Sequence, residues 1–238
     1  MFHKIYSYII NHPKTKRGMW GEWFYQERYQ KVLKSILKLS AKGKKATILD
    51  LGCGNGLYIK YLMALKFNCY YIGCDKDLKA LKEAPKGENV HYVRCDIQNI
   101  PFKTEIADVA LCSEVLEHLA NPYKASEQII KTTRHAIILT FPDEGILFAL
   151  GTRHPEHVTQ IELKKVLNLL LRNNFKPIEL KYIFFSSIPC GILEFLNLRQ
   201  NSFTKSLISL INNLLKKMLP HTLIPHKTIL LIAIKSYA

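Results

Sequence analysis

Among the six cysteines of this 238-residue sequence there is no Cys-x-x-Cys pair, and no His/Cys cluster has zinc-ligand spacing. That excludes a sequence-evident structural zinc and leaves no metal to expect. Cys53, Cys69, Cys74, Cys95, Cys112 and Cys190 sit mostly inside apolar runs, so they read as small hydrophobes kept reduced rather than as a disulfide frame. No run approaches the ~20 apolar residues that span a bilayer. The opening MFHKIYSYIINHPK has no apolar core followed by a small-residue cleavage site, so a secretory signal is not expected. No repeat and no low-complexity tract interrupts the chain, which argues against a solenoid or a disordered array. The expected compartment is the cytoplasm, with a peripheral place on the inner membrane face as an option.

Acidic residues are also scarce, 19 against 34 Lys and Arg, for a net charge of +15. Their distribution is uneven: residues 1–46 carry 11 basic and 2 acidic side chains, residues 47–160 carry 12 and 14, and residues 161–238 carry 11 and 3. The basic flanks suit an anionic partner, whether membrane, nucleic acid or acidic substrate. The middle is nearly neutral, and it holds the regular pattern.

There, apolar runs rich in β-branched and aromatic residues recur at 46–51, 68–74, 89–95, 107–112 and 135–140, with two more at 177–185 and 227–235. Short, continuously apolar runs are what strands buried on both faces look like. Helical spacing over 56–67 and 124–133 supplies crossovers, and 159–174 reads as a helix opened by a Thr159/Glu162 capping box. The expected fold is therefore α/β, a doubly wound, mainly parallel, seven-stranded sheet. Residues 15–39 (Trp20, Trp23, Phe24, Tyr25, then Val32, Leu33, Ile36) predict an amphipathic N-terminal helix, and 203–219 a second, inserted helix. The organisation expected is one domain: a helical cap over 1–45, a core over 46–185, a helical insertion over 186–226 and a last strand over 227–238.

The sharpest local pattern is Ile48-Leu49-Asp50-Leu51-Gly52-Cys53-Gly54-Asn55-Gly56, where a buried strand turns into a helix. Glycines there permit a tight turn and close approach of a ligand to the main chain. The dinucleotide fingerprint Gly-x-Gly-x-x-Gly fails, because Leu57 occupies its sixth position. Asp50, at the strand tip, would repel a pyrophosphate and suit an ammonium or sulfonium; S-adenosylmethionine has both and no phosphate. Asp75 ends the next strand 25 residues later and can accept from both hydroxyls of a ribose. Asp96, with the amide of Ile97 beside it, closes the third strand and suits an adenine edge. An Asp at one strand end is usually a turn residue; three on consecutive strands beside a glycine loop point to an adenosyl ligand.

With these residues the chain resembles the class I S-adenosylmethionine-dependent methyltransferases, in particular the broad small-molecule (type 11-like) group with a Leu-Asp-Leu-Gly-Cys-Gly-Asn-Gly loop and a Ser-Glu-Val-Leu-Glu-His-Leu segment after strand four. The resemblance covers roughly residues 46–185. It implies that Gly52, Cys53, Gly54 and Gly56 line the methionine moiety, with Asp50 supporting the loop and the ammonium, Asp75 on the ribose, Asp96 and Ile97 on the adenine, and Ser113 near the methyl. Arg28 is placed where some quinone-pathway relatives bring an arginine to the donor carboxylate.

Methyl transfer to a hydroxyl needs a base, and His118, His154 and His157 are the histidines in reach of the strand-four and strand-five loops, His157 and His118 being the catalytic candidates. The acceptor expected is small or lipid-like, methylated on oxygen or carbon. The alternatives are a transfer- or ribosomal-RNA acceptor using the basic flanks, and a non-catalytic donor-binding partner protein. Against RNA stands the absence, after strand four, of the Asn/Asp-Pro-Pro-aromatic motif of amino-methylating enzymes.

Overall fold

The computed structural model describes residues 19–40, 45–143, 156–184, 206, 210 and 227–236, the side chains of 19–26, 184 and 227 excepted. The side chains of Trp20, Trp23, Phe24 and Tyr25, with His154, Cys190 and all but two positions of the 203–219 stripe, lie outside the described residues.

Alternation along the strands explains why the predicted runs are continuously apolar. In β1 (Ala46–Leu51), Ile48 faces one layer of helices and Leu49 and Leu51 face the other. β4 (Ala107–Ser113) and β5 (Thr133–Asp143) do the same, sending Val109, Leu111 and Ile138 to one side and Ala110, Cys112, Ile137 and Leu139 to the other. With both faces covered, no polar alternation is available to the strands. One layer is α1 (Met19–Ser40), burying Val32, Leu33 and Ile36, and α2 (Leu57–Ala64), burying Tyr58, Ile59 and Leu62. The opposite layer holds α4 (Pro122–Thr132) and α5 (Leu163–Arg172), which bury Ala125, Ile129, Val166 and Leu170. Between them in the chain run β2 (Cys69–Asp75), α3 (Leu78–Glu83) and β3 (Val90–Arg94); β6 (Phe175–Phe184) and β7 (Lys227–Lys235) follow α5.

The seven strands form one sheet in the order β3-β2-β1-β4-β5-β7-β6. β1 to β5 are mutually parallel, and β7 runs antiparallel to both β5 and β6. The doubly wound expectation holds, with β7 inserted between β5 and the edge strand β6. Because β2 and β3 extend the sheet to one side of β1 and β4 and β5 to the other, the strand order reverses between β1 and β4. Ligands bind such sheets outside the carboxyl ends of the strands at that reversal, and the glycine loop after β1 lies there.

One local expectation is overturned. Helix α5 starts at Leu163, and Glu162 is its N-cap, without a side-chain capping bond. Thr159 makes no capping box: its hydroxyl donates to Leu119 O at 2.7 Å and its amide to Glu117 O at 3.1 Å. A tertiary attachment to the segment after β4 has taken the side chain that the local pattern assigned to the helix. Among the described residues, no helix is long and apolar enough to cross a membrane.

Candidate functional site

The loop 52–56 is shaped by three left-handed glycines, Gly52, Gly54 and Gly56, at φ 76°, 53° and 72°. They differ in what a side chain would meet. A Cβ on Gly52 would come within 2.3 Å of Val115 Cγ2, and one on Gly56 within 2.9 Å of Pro85 Cδ and of the Tyr92 hydroxyl. A Cβ on Gly54 would meet nothing within 4 Å. Gly52 and Gly56 are thus required by the protein's own packing, whereas Gly54 exposes bare backbone to open space. Gly73 of β2, which the sequence reading passed over, is a packing glycine as well: its Cβ would fall 2.7 Å from Tyr92 Cδ1 and 2.8 Å from Cys53 Sγ.

Two carboxylates flank this loop. Asp50 lies in β1 opposite Gly73 and Leu111 and is 2% exposed. The Tyr71 hydroxyl donates to its Oδ2 at 2.5 Å. Burial pushes the Asp50 carboxyl up to about 7, against the opposing pull of the Tyr71 hydroxyl and with a smaller upward contribution from the charge of Asp75. The register sends Asp50 to the same face as Ile48 and Tyr71. Asp75, at the end of β2, accepts from Gly54 N at 2.8 Å through Oδ2 and from Asp77 N at 2.9 Å through Oδ1. A carboxylate offers about four lone-pair positions, so the two amides fix its orientation and leave capacity for a ligand.

Asp96 is exposed and lies two residues beyond β3, with Oδ1 accepting from Gln98 N at 2.9 Å and both oxygens within 3.2 Å of Gln98 Nε2. Ile97 is buried against the sheet. Ser113 stands in a chain of hydroxyls, 2.9 Å from the Tyr58 hydroxyl and 2.8 Å from Thr140 Oγ1. Cys53 is buried, and burial raises its thiol far above the ordinary range, so it is a neutral lining group.

Beyond β4 the construction changes. Glu114 adopts φ 55°, a strained value for a non-glycine residue, while its amide donates to Thr140 O at 2.8 Å. Its carboxylate meets Arg28 Nη1 of α1 at 2.9 Å, a nearly buried pair, and Arg28 lies 5.2 Å from the centre of the Tyr29 ring. Arg28 therefore does reach the carboxyl edge from the N-terminal helix, where it is bound to Glu114. Glu117, His118 and His157 converge as well: one ligand-type atom from each lies within 4.8 Å of the others. The two imidazoles stack edge to face at 5.1 Å. Sequence spacing gave no metal-like signature, because His157 arrives through the attachment of residues 158 and 159 to Glu117 O.

Residues 49–138 match the family model described as a methyltransferase domain. The chain is 30% identical over 136 residues to a tRNA (carboxymethyluridine(34)-5-O)-methyltransferase of Arabidopsis thaliana, covering 56% of this chain and 30% of that protein. It is 29% identical over 139 residues to the protein of the same description from Saccharomyces cerevisiae, covering 57% and 42%. The chain thus spans less than half the length of these curated relatives. In fold it is similar to the magnesium protoporphyrin IX methyltransferase of Synechocystis with bound S-adenosylhomocysteine, at a TM-score of 0.63 and 13% identity over 98% of this chain and 94% of that one. Residues 49–138, held in the sheet described above, thus match a methyltransferase domain, and the fold around them is similar to that of a methyltransferase solved with S-adenosylhomocysteine.

Proposed function

We propose that the protein transfers a methyl group from S-adenosylmethionine to an oxygen atom of a transfer-RNA acceptor, and that the cap, sheet and inserted segment of residues 1–238 work as one methyltransferase domain. The observation that carries the donor half is the loop itself: bare backbone at Gly54 opens onto free space, with its amide held by the carboxylate of Asp75. The charge of Asp75, joined by that of Asp50 when it is ionised, disfavours a phosphate and favours a ligand with a cationic end. In this reading Gly52, Cys53, Gly54 and Gly56 bracket the methionine part, Asp50 receives its ammonium, and Asp75 uses its remaining lone pairs on the ribose. Ile97 supplies an apolar floor and an amide for the adenine, and Asp96 accepts from the adenine amino group. Ser113 contacts the donor near the methyl, and Arg28 serves the donor carboxylate through the edge it shares with Glu114.

The donor brings a methyl on positively charged sulfur, so the leaving group needs no activation. What remains for the protein is alignment, which can supply much of the barrier reduction. For the acceptor, support comes from the two curated relatives named for the carboxymethyluridine of tRNA. The net charge of +15, concentrated in the flanks, suits a polyanion. The missing Asn/Asp-Pro-Pro-aromatic motif does not count against this acceptor, since that motif serves amino groups and the expected target is oxygen. An acceptor of carboxylate type is already anionic, so no base is required and His118 and His157 are released from that task.

The test is incubation with methyl-labelled donor and two pools in parallel, total tRNA and a small-molecule and lipid extract, with Asp75→Ala as control. Label in tRNA digests that disappears with the control is expected. Label confined to the extract overturns the RNA acceptor. Absence of label in both, with no calorimetric binding of the donor, overturns methyl transfer.

A further inference from the structure

The cluster beyond β4 has a composition that methyl transfer does not ask for. Glu117 is 1% exposed, an expensive place for a carboxylate. His118 Nε2 lies 3.9 Å from Glu117 Oε1. That is too long for a hydrogen bond and somewhat wider than the ~3.4 Å that separates two ligand atoms held at roughly 2 Å by a tetrahedral ion, so a small side-chain closure would seat one. The second nitrogen of His118 is already committed, with Nδ1 2.9 Å from Glu156 O. Since a carbonyl can only accept, Nδ1 carries a proton, and Nε2, on the side of the carboxylate, is the nitrogen that can offer a lone pair to an ion. A backbone carbonyl holding one imidazole nitrogen so that the other can ligate is the usual support of a metal-bound histidine. His157 completes the group, with its loop fixed by Val158 N and Thr159 N donating to Glu117 O at 2.8 and 3.1 Å. The two bonds end on the backbone of Glu117 itself, so ligand loop and ligand are positioned by one residue.

From this geometry we propose that Glu117, His118 and His157 form a binding site for a divalent transition-metal cation, zinc being the best match to two imidazoles and one carboxylate. Three protein ligands leave a position open. His118 is about one-third exposed while Glu117 is sealed, so the open position faces outward on the imidazole side. An oxygen ligand from outside fits it, and in the methyl-transfer reading that ligand is the acceptor's carboxylate or hydroxyl oxygen. This role rests on that reading; the binding of the cation does not. As ligands, both histidines serve to fix position and are not proton acceptors. Glu114 stays outside the set, engaged with Arg28.

The test is titration of the metal-stripped protein with zinc by calorimetry, and with cobalt(II) by visible absorption, in the absence of donor. One equivalent per chain is expected, with the ligand-field spectrum of cobalt bound at fewer than six positions. Glu117→Gln and His157→Ala should each weaken binding by about 100-fold or more, while His91→Ala, at an exposed position in β3, leaves it unchanged. His157→Ala changes a partly exposed side chain, so it stays informative if Glu117→Gln fails to fold, and melting curves with chelator report on that. No binding at a hundred micromolar cation, or binding indifferent to both ligand variants, overturns the site. Donor binding measured on the same samples separates this outcome from failure of the methyltransferase reading.

Discussion

On the β1–β2 side of the crevice, the polar groups are held by partners in the same two strands and their shared loop: Gly54 N on Asp75, and the Tyr71 hydroxyl on Asp50. On the β4–β5 side, the groups are held from a distance in the chain, Glu114 by Arg28 and the Glu117–His118 turn by residues 156–159. The first side has one buried carboxyl, poised near neutrality. The second gathers a strained residue, a nearly buried ion pair and a buried acid beside two imidazoles. A side assembled from consecutive strands can be rigid before any ligand arrives, whereas one assembled from the N-terminal helix and a late loop depends on the rest of the fold being in place.

The largest expected effect lies at Asp50, where the difference between the sides can be read as proton uptake. Its carboxyl titrates near 7 in the folded protein against an ordinary 3.8, so the folded state holds a proton that the unfolded state has lost between those values. The associated stability is complete below about pH 4 and is lost as pH rises through 7, on the order of 4 kcal/mol over the interval. Denaturant titrations of the ligand-free protein from pH 4 to 8 should show this decline, and Asp50→Asn should flatten it. A donor ammonium requires the ionised form, so donor affinity should fall toward tenfold per unit as pH drops below 7, with a proton released on binding in calorimetry. If the pH slope is the same in both proteins, the buried carboxyl is not what sets it.

Next in size is the contrast between Gly52 and Gly54. Gly52→Ala places a methyl 2.3 Å from the stiff Val115 side chain at a positive φ. Strain and crowding together should cost about 3 kcal/mol and lower the melting temperature. Gly54→Ala meets open space and incurs only the backbone cost of about 1–2 kcal/mol. Donor binding should nonetheless disappear in Gly54→Ala, because the methyl occupies the approach to the main chain. A Gly54 variant that is folded and binds donor normally would remove the loop from the site.

The two sides also differed in how far the residues alone revealed them. Strand positions were legible because burial on both faces writes unbroken apolar runs; 46–51 and 227–235 coincide with β1 and β7. The glycine loop and its acids were legible because their partners lie within 21 positions of one another. What escaped was tertiary in origin. Thr159 was drawn away from its helix by Leu119 O, Gly73 is required by Tyr92 and Cys53, and Glu117 gains His157 only across 40 positions of chain. No periodicity encodes such meetings: two are settled by how residues 156–159 attach to the segment after β4, and the third by how β3 and the glycine loop pack on β2.

The smallest effect is expected at Asp96, where the regularity of three strand-end acids is weakest. Asp50 is buried and Asp75 is braced by two amides, but Asp96 is exposed and already occupied with Gln98. A hydrogen bond to the adenine amino group made there competes with water and with its own neighbour, so Asp96→Ala should weaken the donor by no more than about tenfold, against roughly fivefold to a hundredfold or more for Asp75→Ala. Affinity alone cannot tell a lost contact from a loosened turn at that size. A donor analogue carrying hydrogen in place of the adenine amino group, which keeps the ring nitrogens as acceptors, makes the distinction. If Asp96 accepts from that group, wild type discriminates against the analogue and Asp96→Ala does not. Equal discrimination by both proteins assigns Asp96 to the turn with Gln98 and leaves adenine recognition to Ile97 and the backbone beside it.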